Sequence, residues 1–216
     1  MTLRSQVVTA LGTVYDPELD EPITTLGFVG SCVVTSGGDV SVRLRLPTPQ
    51  CAPNFAFLMA ADAAAAARGV PGVRSVRVVL DDHYTGEEIN EAVARGEGFD
   101  AAFPGETAGD LRALRQLFQR KALVAREGRL LEGAPPPRTL GELSGPDAQR
   151  CRELRRALGI AADDDAPAFV TGDGAPVSDF ARFGRMARLT ALSLETNGAI
   201  CRDLLRLRYE KEGVVA

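Results

Sequence analysis

The chain has 216 residues, of which 45% are hydrophobic and 25% charged, and carries a net charge of −4. That length and composition suit one large or two small globular units with buried cores. The mildly acidic balance argues against a nucleic-acid partner, whose phosphates call for a basic face. No apolar run reaches bilayer-spanning length, and "MTLRSQVVTALGTV" lacks the apolar core and cleavage site of a signal peptide. No membrane association and a cytoplasmic location are therefore expected.

Residues 1–82 read as a small α/β unit. Leu3, Val7, Val8, Leu11 and Val14 recur at helical spacing, which predicts an amphipathic helix over 3–14. Asp16-Pro17 stops it, because the residue before a proline is pushed out of the helical region. Two β-rich runs then flank Gly37-Gly38-Asp39, a hairpin signal. In the second run Val40, Val42, Leu44 and Leu46 alternate with Asp39, Ser41, Arg43 and Arg45, so one face is dry and the other wet. After "RLPTPQCA", Pro53 suits the first position of a helix, and the alanine-rich run that follows has strong helix propensity as far as Gly69. "VPGVRSVRVVL" supplies a third strand. The order helix–strand–strand–helix–strand predicts a small sheet with both helices on one face.

Residues 83–216 read as a mostly α-helical extension, so the fold class of the whole is α+β. Thr85 with Glu88 three residues later forms a capping-box pattern that predicts a helix over 86–95. "ARGEGFDAAFPGETAGD" reads as a loop. Leu111, Leu114, Leu117, Phe118 and Ala122 mark an amphipathic helix over 110–127. "EGAPPPR" is too proline-rich to be regular. Another helix runs from Ser144 to Leu158, begun near Pro146 and ended by Gly159. "APAFVTGDGAPVS" predicts a two-stranded turn around Asp173-Gly174. Ser178 then caps a long helix to about Glu212, with Gly184 and Gly198 as candidate bends.

Among residues that could carry chemistry, Cys51 has the best local setting. A strand-to-helix loop brings its sulfur near the first N–H groups of the next helix, which favour an anion, and a thiolate is both a nucleophile and a soft metal ligand. A lone cysteine is, however, most often a small buried hydrophobe, and local sequence alone favours that. In "YDPELDEP", Asp16 either caps the turn or joins Glu18 in a hard-ligand or proton-handling patch, and capping is favoured. His83, the single histidine, precedes the helix that starts near Thr85 and reads as a surface or junction residue. Cys32, Cys151 and Cys201 lie on a strand and two amphipathic helices, where a core position is the default. No Cys/His spacing encloses a zinc ion, and no nucleophile elbow, dinucleotide fingerprint or phosphate loop is present. A thiol-based enzyme lacks a general base near Cys51, and the protein is not expected to be an enzyme.

Taken in order, Asp16-Pro17-Glu18, Leu26-Gly27, the glycine hairpin, Thr48-Pro49-x-Cys51 and Gly72-Val73 carry a resemblance. With them, residues 4–82 resemble the small iron–sulfur assembly domain shared by SufT, PaaD and the cytosolic iron–sulfur targeting factors. The resemblance implies a small α/β sandwich of the iron–sulfur assembly type over 1–82, followed by the helical extension 83–216. Cys51 matches the family's reactive or metal-handling cysteine, and Asp16 and Glu18 match its acidic turn, which makes all three candidate metal ligands. Thr48 matches the threonine of the cysteine loop. The chain departs from the family at Pro47, commonly a threonine, at Ala52, commonly a proline, and at "DDHYTGEE", commonly an aromatic, proline-containing end. The extension resembles longer versions that accompany bacterial multicomponent monooxygenases.

What the resemblance implies is a metalloprotein maturation factor. It would hold iron or an iron–sulfur cluster transiently through Cys51 and assist its delivery to a client metalloprotein, an oxygenase among them, in exchange with the iron–sulfur assembly machinery. One thiolate cannot hold a conventional cluster, which needs about four protein ligands. Cys51 would therefore share its cargo across a homodimer or with a client. The alternative is an adaptor that stabilises or recruits a client metalloenzyme without binding metal.

Overall fold

In the computed structural model, which describes residues 1–106, 111–131 and 136–210, the chain opens with α1 (Leu3–Leu11). The Thr2 hydroxyl accepts the Ser5 N–H at 3.2 Å and so satisfies one of the free donors of the first turn. The helix stops at Gly12, earlier than its apolar spacing predicts, because the Thr13 and Val14 N–H groups reach back to the carbonyls of Ala10 and Leu11 and tighten the turn. Val14 stays buried all the same.

The hairpin forms as expected: β1 (Val29–Val34) pairs antiparallel with β2 (Asp39–Arg45), with Val34 opposite Val40. Gly38 holds φ +83°, and a Cβ there would collide with the Gly72 carbonyl oxygen, so only glycine fits the turn. α2 (Pro53–Arg68) carries the chain over to β3 (Ser75–Asp81), which pairs parallel with β2 and completes a sheet of order β1-β2-β3. At the start of that pairing the Asp39 carboxylate accepts from Arg74 at 2.5 Å and Ser75 at 2.6 Å, and these bonds hold its pKa down at about 2.

Val40, Val42 and Leu44 face one core with Val7 and Leu11 of α1 and the alanine face of α2, while Ser41 and Arg43 face solvent. Ala56, Ala60, Ala63, Ala64 and Ala67 are each 1% exposed or less. Small side chains let the helix backbone lie close on the sheet.

The core continues past residue 82. α3 (Gly86–Arg95), the single turn α4 (Phe99–Ala102) and Phe103 directly after it add Ile89, Ala92, Val93, Phe99 and Phe103 to it, and the Phe57 and Phe99 rings meet edge to face at 5.5 Å. The Asn90 amide exchanges two hydrogen bonds with the backbone of Leu80, 2.7 and 3.1 Å, and covers the open edge of β3 there. The expected capping box at Thr85 does not form. Its hydroxyl sits 3.1 Å from His83 Nδ1 instead. α4 also lies where a loop was expected.

By its contacts the chain divides into two units, Met1–Leu111 with Asn197–Ala216, and Arg112–Thr196. A boundary after residue 82 falls inside the first of them. The second unit contains α5 (Arg112–Leu130), α6 (Gly145–Leu158) and the first part of α7 (Phe180–Glu210). Gly159 ends α6 as expected, in the left-handed conformation. The α7 start is capped by Asp179, whose Oδ1 accepts the Arg182 N–H at 2.9 Å, one residue beyond the expected Ser178. Glu127 and Arg155 are fully buried and paired at 2.5 Å. Arg155 also donates to the carbonyls of Pro167 and Ala168, both at 2.8 Å, and Glu127 accepts the Val170 N–H at 2.8 Å. This one ion pair pins the irregular stretch 167–170 to α5 and α6 and satisfies its backbone. The expected turn around Asp173-Gly174 is present, closed by a bridge between Val170 and Pro176.

The predicted α5 start at 110, residues 132–135 of the proline run and the chain beyond 210 lie outside the described residues. Among the described residues no helix is long and apolar enough to cross a membrane. The fold is α+β, a small three-stranded sheet with its helices and a mostly helical C-terminal region.

Candidate functional site

Cys51 lies in the short loop between β2 and α2, half-buried, between exposed Gln50 and Ala52. Its N–H reaches the Thr48 carbonyl at 3.4 Å, and its sulfur stands 3.6 Å from the Thr48 hydroxyl. Pro53 opens α2 with no donor to spend, and the Phe55 N–H is already taken by the Asn54 side chain and the Ala52 carbonyl.

His83 fixes this loop from the other side. Its Nε2 is 2.7 Å from the Cys51 carbonyl, and its Nδ1 accepts the Thr85 N–H at 3.2 Å. A carbonyl only accepts, so the ring is the neutral tautomer with its hydrogen on Nε2. Burial lowers its pKa, and the positive charge of Arg208 adds to that effect against the opposing bond to Cys51. The Tyr84 N–H adds a bond to the Pro49 carbonyl at 3.1 Å. The sequence marks His83 as a junction residue. That it clamps the cysteine loop was invisible, because the partner is a backbone oxygen 32 positions away.

The acidic turn is built on Asp16. Its Oδ1 accepts the N–H groups of Glu18 and Leu19 at 2.9 and 2.8 Å, which is the capping role. Asp16 is 7% exposed, and burial pushes its carboxyl pKa up to about 6 against those two bonds, with Glu18 and Glu21 adding repulsion. Glu18 itself is exposed.

The turn and the cysteine loop share one cavity of about 130 Å³, walled by Asp16, Glu18, Cys51 and Cys201 together with apolar side chains such as Phe28 and Met59. Cys201 is therefore half-buried beside Cys51, where a core position was expected. Burial raises its thiol to about 11, with Asp16, Cys51 and Glu18 each adding to the rise. The end of α7 is tied down around this cavity. Arg202 pairs with Glu21 of the acidic turn at 2.6 Å, and Arg208 donates to the Leu46 carbonyl at 3.0 Å and pairs with Asp82. Cys32 and Cys151 are buried elsewhere. Among the described residues no group of three or more His, Cys, Asp or Glu side chains is arranged to hold a metal ion. The cavity thus offers two soft and two hard donors without a closed ligand set.

Residues 4–79 match the family described as iron–sulfur cluster assembly protein. An uncharacterised protein of Methanocaldococcus jannaschii is 31% identical over 97 residues, covering 45% of this chain and 100% of that protein. The chain belongs to the iron–sulfur cluster assembly protein family. The assembly domain forms its N-terminal part. Iron–sulfur cluster carrier proteins of Mycobacterium leprae and Mycobacterium tuberculosis are each 40% identical over 79 residues, 37% of this chain and 20% of theirs. The chain thus spans about a fifth of the length of those carriers. No solved structure matches it. Asp16, Glu18, Thr48 and Cys51 fall within the assembly domain, whereas His83, Cys201 and Arg208 lie beyond the matched residues.

Proposed function

We propose that this protein is a non-enzymatic maturation factor that takes up iron or an iron–sulfur cluster transiently at Cys51 and delivers it to a client metalloprotein. The observation that carries this is a half-exposed thiol on a clamped loop, opening with two carboxylates into one cavity of an iron–sulfur assembly domain. The names of the mycobacterial relatives support the choice of cargo. In this scheme Cys51 is the soft ligand, Thr48 steadies its sulfur, and Asp16 and Glu18 supply oxygen donors or take up the thiol proton. One thiolate falls short of the roughly four ligands of a cluster, so the cargo is shared with a second copy of the chain, the assembly machinery or the client. Four free thiols suit a reducing cytoplasm. An oxygenase with an iron centre is the client we propose, on the resemblance of the extension alone.

A second reading, an adaptor that recruits or stabilises the client without binding metal, is favoured by one observation: the absence of a three-donor cluster among the described residues. Cells lacking the protein and complemented with Cys51→Ser separate the two. Client metal content that stays at the deletion level supports the carrier, and full client loading by Cys51→Ser supports the adaptor.

A further inference from the structure

The cavity beside Cys51 contains a second thiol that the assembly-domain match does not include. We propose that Cys201 is a second protein ligand to the cargo that Cys51 carries, so that the end of α7 completes a two-thiol site. The inference rests on the carrier reading above.

Three observations support it. Cys201 and Cys51 line the same cavity, about 130 Å³, with the carboxylates of Asp16 and Glu18 in its wall. Cys201 is held there: α7 is fastened at the very next residue, by Arg202 to Glu21 at 2.6 Å, and about two turns further on, by Arg208 to the Leu46 carbonyl at 3.0 Å, while Leu205 packs on the core between them. Cys201 also differs from the structural thiol Cys151, which is 0% exposed in its own apolar cluster.

A divalent iron bound by this pair displaces both thiol protons, M²⁺ + 2 RSH → M(SR)₂ + 2 H⁺, with no change of oxidation state. Two thiolates leave two positions of a tetrahedral iron open. A donor or client can occupy them before the carrier's sulfurs leave, which is the geometry a transfer needs.

The test uses the full-length reduced protein under argon. Phenylarsine oxide condenses with two neighbouring thiols, C₆H₅AsO + 2 RSH → C₆H₅As(SR)₂ + H₂O, and leaves single thiols unbridged. Intact-mass analysis should find one arsenical per chain in the wild type and in Cys32→Ser and Cys151→Ser, and none in Cys51→Ser or Cys201→Ser. Ferrous-ion binding should weaken at least about tenfold in Cys201→Ser, no less than for loss of a supporting group around a metal. Because serine in a half-buried position could disturb folding, Cys201→Ala is run beside it, with circular dichroism as the control. No bridged arsenical in the wild type, or ferrous binding by both folded Cys201 variants as tight as wild type, overturns the inference. If those variants bind normally while Cys51→Ser does not, the second ligand is wrong and the carrier reading stands. If Cys51→Ser also binds normally, the carrier reading falls with it.

Discussion

Replacing Asp16 by asparagine keeps a side-chain oxygen for the Glu18 and Leu19 N–H groups while it removes the buried charge. The Asp16 carboxyl titrates at about 6 in the fold against 3.8 when free. At about 1.4 kcal/mol per unit, holding it ionised costs the fold up to ~3 kcal/mol. The folded pKa is the raised one, so the stability that protonation lends is present below pH 3.8 and lost as the pH rises through about 6. Asp16→Asn should therefore be more stable than the wild type by ~2–3 kcal/mol near pH 7.5, with the advantage gone near pH 3.5. Urea unfolding of the full chain at both pH values measures this directly. Tyrosine emission is the right signal, because the chain has no tryptophan and Tyr15, Tyr84 and Tyr209 all lie in the first unit. An asparagine variant that is less stable near neutrality, by an amount that does not change with pH, would refute the burial argument. If the charge is retained for cargo, the stabilised variant should also take up less iron.

His83→Ala should remove the bond to the Cys51 carbonyl at a cost of about 1 kcal/mol and speed alkylation of Cys51, both read on the purified protein. In the wild type the His83 pKa is lowered, so the neutral ring is favoured above the free histidine value of 6.5, and as the pH falls through the lowered pKa protonation of Nδ1 breaks its bond from the Thr85 N–H while Nε2 still donates to the Cys51 carbonyl. Hydrogen-exchange protection of the Thr85 N–H, taken relative to its intrinsic rate at each pH, should fall on acidification. In the folded chain Cys51 should be alkylated before Cys32 and Cys151, which are buried, and before Cys201, whose thiol is raised to about 11. Thiol-labelling mass spectrometry that finds any other order contradicts the site geometry. Glu127→Ala strands the buried Arg155 guanidinium and should destabilise the second unit by about 3–5 kcal/mol, seen as an earlier loss of helical circular dichroism. A fragment cut after residue 82 omits Ile89, Val93, Phe99 and Phe103 from the core and should fold less cooperatively than 1–106.

What the sequence made legible was local. Pro53 and Gly69 bracket α2 to the residue, Gly38 marks the hairpin, and the alternation from Val40 to Leu44 names the buried face. Each of these signals acts within a few residues of the structure it sets. The misses have distant partners. Thr85 is diverted from capping by His83, and α3 and α4 join the first core because Phe57 and Asn90 give them surfaces to meet. Asp16, Glu18, Cys51 and Cys201 meet in one cavity because α7 returns to the first unit, tied by Arg208 to a carbonyl 162 positions earlier. Spacing says nothing about such a return. A stripe containing Cys201 and Leu205 looks the same whether it covers a core or a site.

Anaerobic reconstitution of the full chain with ferrous iron and sulfide, followed by transfer to an apo-ferredoxin, tests the central claim most directly. The wild type should acquire a cluster's visible absorption and lose it to the ferredoxin, and Cys51→Ser should do neither. Equal loading and transfer by wild type and Cys51→Ser would contradict the account.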